Sequence, residues 1–351
     1  AEGKTGFTSP LLRDADITVS LNDGTDFDTL GSPQFSYYSS PGIDEVTPKG
    51  TVAQSGSTIT LSSTVDFAPN GHTGVAHRVR YSSGGSWTAV VKTCSRVTAR
   101  TLTCPTPGTG EGGVAAAAQI EYSVNNGHYE VVTPTINFYS APSISAVVPR
   151  VGPAAGGTTV ELQSASAITN LDGGAGVSVK ITNGGFSQSA TGTISGSKIT
   201  FDAPVAEGKT GYTSPSLLDG VITVSLNEGT DFDTSGSPKF SYYSSPAVSA
   251  VTPKGTVAQS GSTITLTSTV NFAADGDTGV AHRVRYSNGG SWTAVVKTCT
   301  RVTATTLTCP TPGSGEAGTA ATAQIEYSVN GGVDYEVVTP TINFYSAPSI
   351  S

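Results

Sequence analysis

The residues best equipped for chemistry are few: four histidines, a recurring group of carboxylates, two tryptophans and four cysteines. A histidine acting as general base needs a nucleophile or carboxylate held beside it. Only His77 has a counterpart in a second copy of its surroundings, His282. His72 is replaced there by Asp277, and His128 falls where the second copy reads Gly332–Val333. His77 alternates with Val79 and Tyr81, opposite Arg78 and Arg80, so it sits on the apolar side of a strand and reads as a core histidine. Asp23, Asp26 and Asp28 recur as Glu228, Asp231 and Asp233. Carboxylates this close could ligate calcium, or act as an acid and base pair on a glycosidic bond. They also lie among Asn and Gly, the residues of a solvated hairpin tip, which is the simpler reading. Trp87 and Trp292, each in GGSWTAVV, could stack a sugar or pack at a strand start. No constellation among these residues assigns a catalytic group, a metal ligand or a cofactor, and the expectation is a protein that is not an enzyme.

The cysteines are more regular. Cys94 and Cys104 recur as Cys299 and Cys309, two C-x9-C pairs. The even count and repeated spacing predict two local disulfides and an oxidising compartment. Four buried free thiols in a reducing compartment are the alternative. The spacing matches no standard zinc pattern, and no histidine is placed to complete one.

Charged residues make up 13% of the chain, against roughly 25% for ordinary soluble domains. The net charge is −8 and no basic run occurs, which excludes a nucleic-acid partner, since phosphate binding needs a basic face. No stretch is apolar for long enough to span a membrane as a helix. The low charge and abundant hydroxyls suggest attached sugar. No Asn-x-Ser/Thr sequon exists, so O-linked or hydroxyproline-linked glycans are the expectation, with Ser9–Pro10, Ser32–Pro33, Thr47–Pro48 and Thr106–Pro107 as candidate steps.

The elements that must position these residues are written twice. AEGKTGFTSP at Ala1 returns as AEGKTGYTSP at Ala206, and VKTCSRVTARTLTCPTP around Cys94 returns as VKTCTRVTATTLTCPTP around Cys299. One extra residue enters near Gly332, so Pro142 matches Pro348. A period this long exceeds one solenoid unit and points to a repeating unit of two domains. Short strand-like runs alternate with Gly, Pro, Asn and Asp clusters, and helical periodicity is nearly absent. In the first full copy the expected strands are Gly42–Thr47, Thr58–Ser63, Ala76–Tyr81, Trp87–Lys92, Thr101–Cys104, Ala116–Val124 and Thr135–Tyr139. Ile120, Tyr122 and Val124 should face inward, as should Ile325, Tyr327 and Val329. Asn125–Asn126–Gly127 and Asn227–Glu228–Gly229 are hairpin turns. Seven strands in about 100 residues is the size of an immunoglobulin-like sandwich. In the region without cysteines the expected strands are Thr159–Leu162, Gly176–Ile181, Lys198–Phe201, Val221–Leu226 and Lys239–Tyr243.

PSISAVVPRVGPAAGGTTVEL at Pro142 resembles the opening of the IPT/TIG immunoglobulin-like domain, with its Pro-x-Ile strand, Pro-x-x-Gly turn and Gly–Gly–Thr pair. Thr103–Pro107 resembles that family's Cys-x-x-Pro segment, and Ser225–Phe232 its penultimate strand and Asn-rich turn. Val52–Ser57 departs from the usual Gly–Gly pair. The resemblance implies an all-β fold of tandem sandwiches arrayed head to tail. The expected segments are 1–41, the back half of a domain without cysteines; 42–141, a domain with a cysteine pair; 142–245, a domain without; 246–347, a domain with a pair; and 348–351, the first strand of the next. The half sandwich at the start would leave Ile17, Val19, Leu21, Phe35 and Tyr37 needing cover. Short proline junctions at Pro41, Pro142, Pro246 and Pro348 restrict motion between domains. These features lead to an extracellular or cell-surface structural protein, the shaft of a fibre or surface filament such as a flagellar hair, whose partners are copies of itself. The alternatives are an adhesion or receptor ectodomain binding a protein or glycan, and an accessory module of an enzyme.

Overall fold

A computed structural model describes residues 12–29, 31, 33–83, 89–168, 177–212, 217–232, 234, 236, 238–288 and 293–349. Trp87, Trp292 and Asp233 lie outside them, so the sugar-stacking reading and one carboxylate of the acidic group have no structural account. The described chain is all strand and turn. Among the described residues it divides into two compact units: residues up to Ala141 with the loop Leu226–Asp231, and the residues from Pro142 onward without that loop.

The first unit holds a sandwich and a hairpin. One sheet of the sandwich runs in the order Ile43–Thr47, Thr58–Ser63, Thr101–Pro105, Ser95–Thr98. The other runs Gly50–Val52, Ile136–Tyr139, Ala117–Ser123, Arg78–Ser82, Val90–Thr93, with Glu130–Val131 pairing Ala117–Ser123 across the predicted Asn125 turn. Thr58–Ser63 shows why the sheets pack: Ile59 and Leu61 are fully buried while Thr58 is exposed, the two-residue period of a half-buried strand. Ile59, Leu61, Val79, Tyr81, Leu102, Ile120, Tyr122 and Phe138 form the core. The hairpin pairs Leu12–Asp16 with Gln34–Tyr38 in antiparallel register, Leu12 opposite Tyr38. Both of these residues pack partly against the core of the sandwich. Ile17, Val19, Leu21, Phe35 and Tyr37 are exposed.

The second unit contains two sandwiches. Residues 248–345 repeat the first design: one sheet of Val248–Thr252, Thr263–Ser268, Thr306–Pro310, Thr300–Thr303, and one of Gly255–Val257, Glu336–Tyr345, Thr322–Ser328, Arg283–Ser287, Val295–Thr298. Ile325, Tyr327 and Val329 are buried, like their earlier counterparts. Residues 144–243 form one continuous sheet of eight strands, closed at its far edge by Val151–Pro153, which pairs in parallel with Ser241–Tyr243. Gly152 in that edge strand is fixed by space. A Cβ there would lie 2.4 Å from Thr158 Oγ1 and 2.7 Å from the Phe240 ring.

The sandwiches with and without cysteines differ at one place. In the first type the chain leaves one sheet at Thr93, passes Cys94, and enters the other at Ser95. Cys94 is bonded there to Cys104, with Cα atoms 4.3 Å apart; Cys299 and Cys309 repeat the bond. In the second type a single ten-residue strand, Phe186–Ser195, runs through and pairs both Val177–Asn183 and Lys198–Asp202. The disulfide therefore pins the crossing that the other type makes with continuous strand pairing. Sequence reasoning missed Phe186–Ser195 because FSQSATGTIS carries large apolar residues only at Phe186 and Ile194. It also missed Gly50–Val52 and Val151–Pro153, since three residues are too few for an alternating pattern.

Candidate functional site

The histidines come first. His77 is buried, with Nε2 2.9 Å from the Ala68 carbonyl and Nδ1 hydrogen-bonded to Tyr122 Oη. A carbonyl only accepts, so Nε2 carries the proton and Nδ1 accepts from the Tyr122 hydroxyl. The neutral ring is thus satisfied on both sides and stacks on Tyr122. His282 repeats this with Ala273 and Tyr327, and its Nε2 lies in addition 3.3 Å from Asp275 Oδ1. Burial pulls both imidazole pKa values down. Both histidines are core residues, in line with the sequence reading. Among the described residues the only carboxylate beside either ring is Asp275, and the first copy shows no equivalent ion pair at His77.

Their protonation gives a measurable stability effect. The unfolded chain protonates these rings near 6.5, whereas the folded chain does so only at lower pH. The contribution is therefore complete above about 6.5 and is lost as pH falls toward the folded-state value. Hydrogen exchange at Ala117–Ser123 and Thr322–Ser328 should show the cysteine-bearing sandwiches losing stability between pH 7 and 5, and the His77→Gln, His282→Gln double variant should flatten that slope. Glu336, whose carboxyl is raised by burial, acts with the opposite sign. Its contribution is present at low pH and lost as pH rises through the raised value.

The first copy of the acidic group, Asp23, Asp26 and Asp28, is a solvated tip as read, whereas Asp231 of the second copy is seated, and Asp334 in a further loop is seated in the same way. In the second unit, Asn330 Nδ2 donates to the Val151 carbonyl at 3.0 Å and to Asp334 Oδ2 at 2.8 Å. The Asp334 amide donates back to Asn330 Oδ1 at 2.9 Å, and Thr158 Oγ1 donates to Asp334 Oδ2 at 2.6 Å. A loop of the 248–345 sandwich is thereby seated on the edge strand of the 144–243 sandwich. In the first unit, Asn227 Nδ2 donates to the Gly50 carbonyl at 3.0 Å and to Asp231 Oδ2 at 2.9 Å. Thr51 Oγ1 and Ser57 Oγ donate to the two Asp231 oxygens at 2.6 and 2.9 Å. Asn227 and Asn330 are both buried. A buried amide with every polar atom met, beside a carboxylate accepting charge-assisted bonds, is the polar arrangement that fixes geometry.

The loop backbone explains the sequence it needs. Residues one and two after the Asn are left-handed in each case: Glu228 and Gly229, with φ of 58° and 83°, and Gly331 and Gly332, with φ of 73° and 95°. This turn brings the residue four places on, Asp231 or Asp334, back under the Asn amide. Asn22 and Asp26 close the same ring, with bonds of 2.8 and 2.9 Å across left-handed Asp23 and Gly24. The fourth loop lacks it. Asn125 Oδ1 takes the amides of Gly127 and His128, and no acid stands four places on. The extra residue near Gly332 is what supplies the acid in the later copy. Sequence reasoning saw the turns and took their acids as solvent-facing, which holds for Asp23, Asp26, Asp28 and Glu228 but not for the seated Asp231. The available signal was Asn-x-Gly-x-Asp at Asn22, Asn227 and Asn330. Among the described residues no group of three or more metal-ligating side chains gathers, and Asp26 and Asp231 serve Asn22 and Asn227.

A cavity of about 580 Å³ in the first unit is lined by Leu12, Phe35, Tyr37, Val75, Val124 and His128 among others. It lies between the hairpin and the sandwich, whose Thr73–Val75 and Val124–His128 segments form its other wall. His128 is the one imidazole on its wall, and no carboxylate lines it among the described residues.

No family model matches the sequence, and no curated protein matches it. Solved structures with some likeness include the full extracellular region of plexin A4, domains 1 to 10, at 16% identity and a TM-score of 0.40 over 89% of this chain and 25% of that one. The FN1–FN3 domains of chicken CNTN1 align at 11% identity and a TM-score of 0.25, over 87% and 97% of the two chains. A tetra-tandem repeat from the extending region of a large adhesion protein aligns at 11% and 0.21, over 83% and 71%. This chain spans a quarter of the plexin chain. The architecture itself, tandem immunoglobulin-like β-sandwiches, rests on the strands and cores described above.

Proposed function

We propose that this chain is a structural segment of an extracellular array, IPT/TIG-like sandwiches joined head to tail as the shaft of a fibre or surface filament. The observation that carries the reading is the seated Asn–Asp loop of residues 330–334, repeated with the same chemistry at residues 227–231. A buried, fully bonded polar contact holds one orientation, whereas a flexible string of modules needs none. The two disulfides support an oxidising compartment. Sugar on surface hydroxyls is part of the same proposal, compensating for the low charge.

Electron microscopy of the native material tests it: rods or fibres with a regular axial repeat are expected, and isolated globules would reject it. Intact mass of that material checks the sugar, a mass equal to the bare polypeptide being the negative result. An adhesion or receptor ectodomain is the second reading, favoured by the exposed apolar face of the hairpin.

A further inference from the structure

The polar clasp has an unfilled half at each end of the described chain. The loop Asn22–Asp26 is closed on itself but exposed, with Ser20 Oγ donating to Asn22 Oδ1 at 2.8 Å and the Gly24 amide to Ser20 Oγ at 2.9 Å. The seated loop of the second unit carries the same brace: Ser328 Oγ to Asn330 Oδ1 at 3.0 Å and the Gly332 amide to Ser328 Oγ at 2.9 Å. The exposed loop has therefore already taken the docked conformation, so ordering it costs little on binding.

The receiving surface is equally prepared. Around Gly50, Thr51 and Ser57 the hydroxyls run Thr51 to Ser55 at 3.4 Å and Ser55 to Ser57 at 2.7 Å. Around Gly255, Thr256 and Ser262 the same chain of hydroxyls runs Thr256 to Ser260 at 3.3 Å and Ser260 to Ser262 at 2.7 Å. Gly50, Thr51 and Val52 are all buried beneath the seated loop, whereas Gly255 and Val257 stay partly exposed. No loop among the described residues covers that second surface.

We infer that the Asn22–Asp26 loop of one copy of this chain seats on the Gly255–Ser262 surface of another, with Asn22 Nδ2 donating to the Gly255 carbonyl and the Asp26 carboxylate accepting from the Thr256 and Ser262 hydroxyls. The match is specific. SLNDGTDFDT at Ser20 and SLNEGTDFDT at Ser225 differ at one position, and the receiving segments GTVAQSGST are identical at Gly50 and Gly255. The contact is heterologous, using different surfaces on the two copies, so it propagates in one direction. It rests on the proposed array reading and names the surface that continues the array.

The test is photo-crosslinking in the intact chain, a readout that registers weak contacts. Thr25→p-benzoylphenylalanine places the probe beside the clasp and leaves Asn22 and Asp26 untouched; Thr230→p-benzoylphenylalanine is the internal control, which should label the Gly50–Ser57 segment within one chain. The expected result is an intermolecular adduct from position 25 to a peptide containing Gly255–Ser262. Asp26→Ala or Asn22→Ala should reduce its yield at least tenfold, and so should the Thr256→Val, Ser262→Ala double variant on the receiving copy. No adduct while the position 230 control labels its target, or an adduct that persists with Asp26→Ala, overturns the inference. Rods seen in micrographs together with no adduct would sink this contact and leave the array standing; an adduct without rods would do the reverse.

Discussion

Phe240→Ala should destabilise the 144–243 sandwich by about 3–5 kcal/mol, while Phe35→Ala should cost less than about 1 kcal/mol. The two residues occupy the same place in the repeat, in KFSYY and QFSYY. Each stacks edge-on against the tyrosine two places on, Phe240 with Tyr242 at 5.1 Å and Phe35 with Tyr37 at 5.0 Å. They differ in cover. Phe240 is 0% exposed, packed under the Val151–Pro153 edge strand, and Phe35 is 54% exposed. Deleting a fully enclosed ring loses its transfer free energy and leaves a cavity; deleting an open one does neither. Because the chain holds several cooperative units, a single melting point is a poor reporter. Hydrogen exchange at the amides of Lys239–Tyr243 and Val177–Asn183 isolates the unit of interest. Equal effects at both positions would show that the hairpin at Leu12–Tyr38 is covered in solution.

The same pair shows how far the sequence could be read. That Phe35 and Tyr37 share one apolar face in need of cover follows from alternation alone, and so does the core built on Ile120, Tyr122 and Val124. Long strands with one apolar face announce themselves because the pattern and the burial are one fact. The edge strands Gly50–Val52 and Val151–Pro153 do not, since their place is set by parallel pairing with residues some 90 positions away. The clasp was half legible. Asn227–Glu228–Gly229 and the acid at Asp231 stand in plain view, but what distinguishes a solvent-facing tip from a seated one is the partner surface. The hydroxyls of Thr51, Ser57 and Thr158 lie more than 170 residues from the acids they meet. Nothing local in AQSGST or GGTT marks them. His77 was legible as core from its alternation; its bond to Tyr122 required the neighbouring strand, whose register puts Tyr122 opposite Val79.

Removing the cysteine pairs is the second large effect expected. Cys94→Ala with Cys104→Ala should destabilise the first sandwich by about 3 kcal/mol on the chain-entropy estimate for so short a loop, and the same change at Cys299 and Cys309 should do so in the third. The bonded sulfurs are buried, so the alanines also leave space that the core fills only in part. The loss should be uneven along the chain. The crossing between sheets at Cys94 has only four-residue strands on either side, Val90–Thr93 and Ser95–Thr98, to hold it. Exchange should therefore rise first at these two strands and reach Thr58–Ser63 last. The 144–243 sandwich is an internal control, because its crossing is the ten-residue strand Phe186–Ser195, held by hydrogen bonds that reduction leaves intact. Reducing agent should accordingly lower the stability of the two outer sandwiches and not that of the middle one. Thiol titration of the unfolded, unreduced chain should find no reactive sulfur. Four reactive thiols, or a middle sandwich that loses as much as its neighbours, would show that the crossing is held by something other than the bond.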